Sequence, residues 1–133
     1  MIPVFVLDTN AVIHFFKGKG QVAAHLLATP PGEIALTAIT VFELERGVRK
    51  SPPGIDRRER LARFLAAIDV LSFDLRAAQL AAEIAVHLEP KGRQIGPLDT
   101  LIAAIALAHG ATLVTHNTDE FSRVPGLDVV DWY

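Results

Sequence analysis

Short apolar runs rich in β-branched residues alternate with longer stretches of helical periodicity along the whole chain. Runs of this length, bounded by polar or turn-forming residues, are typical of buried strands. They predict five strands, at residues 4–7, 34–37, 70–73, 112–115 and 127–130. The intervals predict helices at residues 11–16, 21–28, 41–50, 57–67, 75–88 and 98–109. Alternation of this kind predicts an α/β fold, a three-layer sandwich with a mostly parallel central sheet flanked by helices. The pattern leaves the strand order open.

Composition narrows the class of protein. The chain has 133 residues, of which 50% are hydrophobic and 21% charged, and no linker or repeat divides it, so we expect a single domain over 1–133. The absence of Cys excludes disulfides, thiolate zinc sites and cysteine nucleophiles. No basic region precedes the first apolar run, which Asp8 and His14 interrupt, and the longest apolar stretch, 101–108, is too short to span a bilayer. We therefore expect a soluble, cytoplasmic protein without a membrane segment.

Positive charge is concentrated in one part of a chain whose net charge is −2. Seven of the 13 basic residues lie between positions 46 and 63: Arg46, Arg49, Lys50, Arg57, Arg58, Arg60 and Arg63. Only Asp56 and Glu59 oppose them there. The pattern is compatible with a solvated helix face and equally with a surface that contacts phosphates.

Asp8 ends the first predicted strand, in the run "VFVLDTN". A buried carboxylate is costly unless a partner stabilises it, so Asp8 needs either a capping role or a cation. Asn10 is the better-placed N-cap for a helix that begins near Ala11. A functional role is therefore favoured for Asp8.

Glu43 follows the second strand in "TAITVFELERG". Thr40 and Glu43 have the spacing of a capping box, and this structural explanation is the stronger one when Glu43 is considered alone. The same geometry would nevertheless hold its carboxylate at the end of the strand, on the edge that carries Asp8.

Asp99 lies in the first turn of an almost entirely apolar helix that Gly96 and Pro97 open. The helix dipole favours an acid there, but a carboxylate at the start of so buried a helix again needs a partner. A fourth position follows the fourth strand, where Asn117, Asp119 or Glu120 could supply an oxygen. An Asx turn or an N-cap is the structural alternative.

Several carboxylates at one sheet edge would repel one another unless a cation neutralised them. Oxygen ligands suit Mg²⁺ or Mn²⁺, whereas the five His residues show no zinc-binding spacing. The chemistry that uses such a cluster is chiefly phosphoryl transfer, in which the metal activates water and stabilises the leaving oxygen.

The sequence resembles the PIN-domain ribonucleases, specifically the VapC-type toxins of bacterial toxin–antitoxin pairs. The matching segments run almost from end to end: "VLDTNAVI", "TAITVFELERGV", "FDLRAAQLAAEIAVHLEPKGRQIGPLDTLIAAIALAHGATLVTHNTDEF" and "RVPGLDVVDWY". The resemblance implies a PIN-like sandwich, a homodimer and inhibition by a VapB-like antitoxin whose tail covers the active groove. A larger toxin–antitoxin assembly is compatible with it.

The resemblance also assigns roles to individual residues. It implies that Asp8 and Asp99 bind Mg²⁺, with Mn²⁺ as a substitute, and that Glu43 joins the acidic cluster directly or through water. Many PIN domains have Asp where this chain has Asn117. The substitutes are Asp119 and, as the weaker candidate, Glu120.

Other residues would support the same chemistry. Thr9 and Thr115 resemble the hydroxyl residues that orient the cluster. The expected reaction is cleavage of an RNA phosphodiester by metal-activated water, with the backbone steered by basic residues of the 46–63 region, foremost Arg46, Arg49 and Lys50.

Two alternatives remain. Haloacid-dehalogenase-like phosphatases also carry an Asp after the first strand, but in a D-x-D-x-T motif whose second Asp is missing from "LDTNAV". A catalytically degenerate PIN-like domain that serves only for binding is kept open by Asn117.

Overall fold

The computed structural model describes residues 5–53 and 56–133, and strands and helices alternate through them as the pattern predicts. The strands are β1 (Phe5–Leu7), β2 (Ile34–Thr37), β3 (Asp69–Leu71), β4 (Thr112–Val114) and β5 (Val129–Val130). The helices are α1 (Thr9–Lys17), α2 (Val22–Leu27), α3 (Ala38–Arg49), α4 (Arg57–Ala67), α5 (Leu75–Leu88), α6 (Pro97–Ala108) and α7 (Thr118–Phe121). Short 3₁₀ turns lie at Pro31–Glu33 and Glu89–Lys91.

The five strands form one sheet in the order β3-β2-β1-β4-β5, and every neighbouring pair is parallel. β1 is therefore central, with β2 and β4 on either side. The carboxyl ends of all five strands lie along one edge of the sheet, which is where sites form in open parallel sheets.

Helices cover both faces of the sheet, which confirms the three-layer sandwich. Side chains alternate between the two faces along each strand. Val6 and Leu113 pack in a core with residues of α5, α6 and α7, whereas Leu7 and Leu36 pack in a second core with residues of α1 to α4. α6 is apolar nearly all round, as predicted, since Ile102–Ala106 are all fully buried.

Several predicted boundaries need correction. β3 and β5 are shorter than the predicted runs 70–73 and 127–130 because each pairs only with a short neighbour. The fourth strand ends at Val114 rather than at 115. Helices α1 and α3 begin at Thr9 and Ala38, earlier than predicted, and α7 was not predicted. The predicted first residue of β1, Val4, lies outside the described residues.

No helix in the described ranges, 5–53 and 56–133, is both long and apolar enough to cross a membrane.

Candidate functional site

Asp8 lies at the carboxyl end of the central strand, with 4% of its surface exposed. The Ala11 N–H donates to Asp8 Oδ1 (2.8 Å), so Asp8 is itself the N-cap of α1. The prediction that Asn10 provides this cap was wrong, because the helix begins directly after the strand and Asn10 lies exposed within its first turn. Capping therefore accounts for one oxygen of Asp8, and a functional role for this carboxylate stays a prediction.

The second oxygen of Asp8 is held from the neighbouring strand. Thr115 Oγ1 donates to Asp8 Oδ2 (2.5 Å), and the Asn117 N–H donates to Thr115 Oγ1 (3.0 Å). Thr115 is fully buried. Burial raises the pKa of Asp8 above its ordinary value, although the hydrogen bonds from Thr115 and Ala11 act in the opposite direction. The loop after β4 therefore fixes the orientation of a carboxylate that is costly to ionise.

Glu43 is held by a contact that its sequence neighbours did not indicate. Thr37, not Thr40, caps α3, since Thr37 Oγ1 accepts the Thr40 N–H (3.0 Å). The predicted capping box was wrong because Glu43 lies in the second turn, too far along the helix to reach the cap. Thr9 Oγ1 instead donates to Glu43 Oε1 (2.5 Å). This hydroxyl connects the residue after Asp8 to the second carboxylate.

Asp99 is half-buried in the first turn of α6. Burial, followed by the negative charges of Glu43, Asp8 and Glu120, raises its pKa to about 6. Mutual repulsion of this kind requires carboxylates close together. Glu43 and Asp8 therefore lie near enough to Asp99 to act on its charge, although among the described residues no three such side chains form a metal-binding group.

The fourth position differs in detail from the expectation. Asn117 is the N-cap residue of α7 but its side chain makes no capping hydrogen bond. Asp119 is exposed and is not among the charges that act on Asp99, whereas Glu120 is half-buried and is one of them. The structure therefore favours Glu120 over Asp119, reversing the order that the sequence suggested. The reason is α7, which directs neighbouring side chains about 100° apart.

The carboxylates at this edge of the sheet are candidate ligands for a divalent cation. In the part of the chain that the structure describes, no three His, Cys, Asp or Glu side chains are grouped closely enough to form a ready-made metal site. Mg²⁺ commonly takes only one or two carboxylates and keeps several waters. Two carboxylates with raised pKa values, Asp8 and Asp99, are the donors that a hard cation would stabilise. The donor set fits Mg²⁺, and its binding by these two residues stays a prediction.

A cavity of about 380 Å³ lies between α1, α3 and α4. Its lining includes Glu43 together with three basic residues, Lys17, Arg57 and Arg60. Arg60 Nη2 donates to the carbonyl oxygen of Phe16 (2.7 Å), and its guanidinium lies 4.9 Å from the centre of the Phe16 ring. A basic, partly aromatic groove therefore adjoins the acidic cluster.

Of the basic residues in the predicted 46–63 region, Arg57 and Arg60 line this cavity, whereas the three foremost candidates do not. Arg46, Arg49 and Lys50 are exposed at the end of α3, and Arg49 Nη1 pairs with Glu45 Oε1 at 2.6 Å. Lys17 was missed because it belongs to α1, far in sequence from the predicted basic cluster. Only the packing of α1 against α3 and α4 reveals this grouping.

A family model, related sequences and solved structures all indicate the same family for this chain. The PIN domain family model matches residues 5–127. The tRNA(fMet)-specific endonuclease VapC of Shigella flexneri is 36% identical over 128 residues, which cover 96% of this chain and 97% of that protein. Ribonuclease VapC2 of Rickettsia felis is 34% identical over 131 residues, which cover 97% of this chain and 98% of that protein.

Solved structures give the same result. The chain superimposes on VapBC2 from Rickettsia felis bound to a DNA fragment from its promoter, with a TM-score of 0.87 and 34% identity, covering 98% of this chain and 99% of that one. DNA-bound VapBC from Salmonella typhimurium gives a TM-score of 0.91 at 29% identity, covering 99% and 100%.

Proposed function

Because the chain belongs to the PIN domain family and, within it, to the VapC ribonucleases, we propose that it is the Mg²⁺-dependent endoribonuclease toxin of a VapBC-type toxin–antitoxin pair. The whole span 1–133 would form a single PIN domain acting in the cytoplasm, where its RNA substrates are found. Its partners would be a VapB-like antitoxin and a second copy of this chain.

The observation that carries this proposal is the gathering of carboxylates near Asp99. Burial, followed by the charges of Glu43, Asp8 and Glu120, raises the pKa of Asp99, and these three residues come from separate parts of the chain. A purely structural domain gains nothing from repulsive charges gathered at the edge of its sheet. An enzyme that binds a cation at this edge does gain from these charges, because they attract the cation.

In the proposed mechanism, Asp8 and Asp99 would hold Mg²⁺. The bound ion would supply an activated water and neutralise the charge that develops on the phosphate. Thr115 and the Ala11 N–H fix both oxygens of Asp8, so this carboxylate is already oriented before substrate arrives. Preorganisation of this kind avoids reorientation during the reaction.

Glu43 and Glu120 would complete the acidic cluster around the scissile phosphate. Thr9 holds Glu43 through its hydroxyl, which limits the rotamers available to this carboxylate. Lys17, Arg57 and Arg60 in the adjoining groove would bind the RNA backbone on the same side as Glu43.

The direct test is cleavage of RNA by the purified chain, with Mg²⁺ and with EDTA. Total cellular RNA and initiator tRNA are the first substrates, the latter because the Shigella flexneri relative is named for it. We expect discrete fragments that need both the metal and Asp99, so Asp99→Asn should lose activity by at least 10-fold. Asp128→Asn, the same change at an exposed residue beside β5, is the matched control.

The alternative is a degenerate PIN-like domain that only binds. It is favoured by Asn117 and by the lack of a ready-made group of three ligands in the described residues. Such a domain would cleave nothing under any condition, and its melting temperature would not respond to Mg²⁺ or Mn²⁺.

A further inference from the structure

Two aromatic side chains form a stacked pair at the carboxyl edge of the sheet. The ring centres of His116 and Tyr133 are 4.3 Å apart, with the planes inclined by only 25°. His14 meets Tyr133 edge-on, with ring centres 4.9 Å apart. None of these rings has a role in the proposed mechanism. All three rings nevertheless lie close to the acidic cluster, since His116 directly follows Thr115, whose hydroxyl donates to Asp8.

The pair is held in place from several directions. Asp131 accepts the Tyr133 N–H at Oδ1 (2.8 Å), and its Oδ2 lies 2.9 Å from His116 Nδ1. Burial acts to raise the pKa of Asp131, but these contacts hold it below its ordinary value. The Gln21 N–H donates to the carbonyl oxygen of Tyr133. His116 is thereby held through its ring nitrogen, and Tyr133 is held through its backbone.

The loop between α1 and α2 is shaped to admit Tyr133. Gly20 has a φ of +64°, and a Cβ there would come within 2.4 Å of the Tyr133 carbonyl oxygen. Only glycine satisfies both the left-handed backbone and this close approach. Fixing the backbone of Tyr133 in this way limits the conformational freedom that is lost when a ligand stacks on the pair.

The pair remains open to solvent. The His116 side chain is 52% exposed and Tyr133 is 45% exposed. Tyr133 stacks on one face of the His116 ring, and His14 lies edge-on to the same ring with the ring centres 5.9 Å apart. About half of the His116 side chain nevertheless remains exposed, and this surface is what the pair offers to a ligand. The pair follows β4 and β5, whereas the basic groove lies beside α3, which follows β2. Asp8, at the end of the central strand, is therefore flanked by the groove on one side and by the stacked rings on the other.

We propose that His116 and Tyr133 form a stacking platform for one nucleobase of single-stranded RNA next to the cleaved phosphodiester. This inference rests on the proposed ribonuclease function. A planar base would extend the existing column of rings, with its phosphates directed along the acidic cluster and the basic groove. Stacking of this kind tolerates any base, because every base has a π-face.

The test measures RNA binding separately from cleavage. The probe is a fluorescein-labelled single-stranded oligoribonucleotide, and a series carries one abasic site at each position in turn. Fluorescence anisotropy gives the Kd with the chain in an Asp99→Asn background, which prevents cleavage. We expect one abasic position to weaken binding by about 5-fold or more, as the loss of one base–aromatic stack does.

Substitutions at His116 test whether its ring is the surface on which the base stacks. His116→Ala should weaken binding of the intact oligonucleotide by a similar factor and abolish the penalty at that abasic position. His116→Phe should restore both, because it retains the ring while losing the contact with Asp131. His87→Ala is the matched control, since His87 is exposed on α5, where its Nε2 lies 3.2 Å from Lys91 Nζ. Circular dichroism and melting temperature verify that each variant folds.

The proposal is overturned if His116→Ala binds the intact probe as tightly as the parent, or if its abasic profile is unchanged. The stacked pair would then be available to a protein partner instead. Failure of the proposed function gives a different result, namely no cleavage by the unsubstituted chain. Base-dependent binding that needs the His116 ring would still be measurable in that case.

Discussion

Replacing Asp99 by Asn should stabilise the metal-free protein. The substitution keeps the shape of the side chain and removes a negative charge that burial and three neighbouring carboxylates disfavour. The pKa of Asp99 is raised from 3.8 to about 6, which corresponds to roughly 3 kcal/mol at pH 7 if the group were fully shielded. Because Asp99 is only half-buried, solvent screening reduces this to about 1–2 kcal/mol.

The pH dependence has a defined sign. The folded state holds the proton of Asp99 more tightly than the unfolded state, so the wild-type protein loses stability as the pH rises from about 4 to about 6. Asp99→Asn lacks this contribution, so its advantage should be small at pH 4 and constant above about pH 7. At pH 7 its melting temperature should be about 3–8 °C higher.

The assay is thermal or urea unfolding in EDTA from pH 4 to 8, for wild type, Asp99→Asn and the exposed control Asp128→Asn. Addition of Mg²⁺ should then stabilise the wild type more than Asp99→Asn, since only the wild type retains both predicted ligands. Parallel pH profiles for wild type and Asp99→Asn, with no difference at pH 7, would refute the electrostatic reasoning.

Two further substitutions test the contacts around the acidic cluster, and a third tests the packing of the core. Thr115→Val removes the hydroxyl that donates to buried Asp8 and should lower the free energy of unfolding by about 1–3 kcal/mol in urea titrations; a loss below about 0.5 kcal/mol would contradict the role of this bond. Thr9→Val should lower the cleavage rate about 10- to 100-fold, because it removes the hydroxyl that holds Glu43. Thr9→Ser keeps the hydroxyl and should restore the rate. Equal rates for the two variants would contradict a role of this hydroxyl in orienting Glu43. Leu36→Ala, in the fully buried β2, should lower the free energy of unfolding by about 2–5 kcal/mol in the same urea assay. A loss under about 1 kcal/mol would contradict the tight packing of Leu36 in the core.

The layers of the fold could be predicted from the sequence because apolar runs and helical periodicity are local properties. The strand order could not, since β4 pairs with β1 across more than a hundred residues of chain. Helix starts were misjudged where a strand passes directly into a helix. Asp8 and Thr37 both end a strand and cap the next helix, so the usual polar spacer between the two elements is missing.

The grouping of the three carboxylates could be anticipated from the sequence, although their role in a site stays a prediction. Asp8 follows the first strand, and Glu43 and Asp99 lie near the N-termini of α3 and α6, which begin at the same edge of a parallel sheet. The choice between Asp119 and Glu120 could not be made, because it depends on a four-residue helix that carries no periodic signal. The basic groove could be predicted only in part, because Arg57 and Arg60 lie in the predicted basic region whereas Lys17 comes from a helix distant in sequence.

The position of β4 beside β1 has a consequence for biosynthesis. The ribosome releases β1, β2 and β3 well before β4, so one edge of the central strand stays unpaired until β4 has emerged. Thr115, which orients Asp8, and Glu120 follow β4 in the chain and arrive later still. A product truncated before β4 would thus lack both residues and would present an open strand edge, a feature that promotes aggregation. The order of synthesis therefore makes the final orientation of Asp8 depend on completion of the sheet.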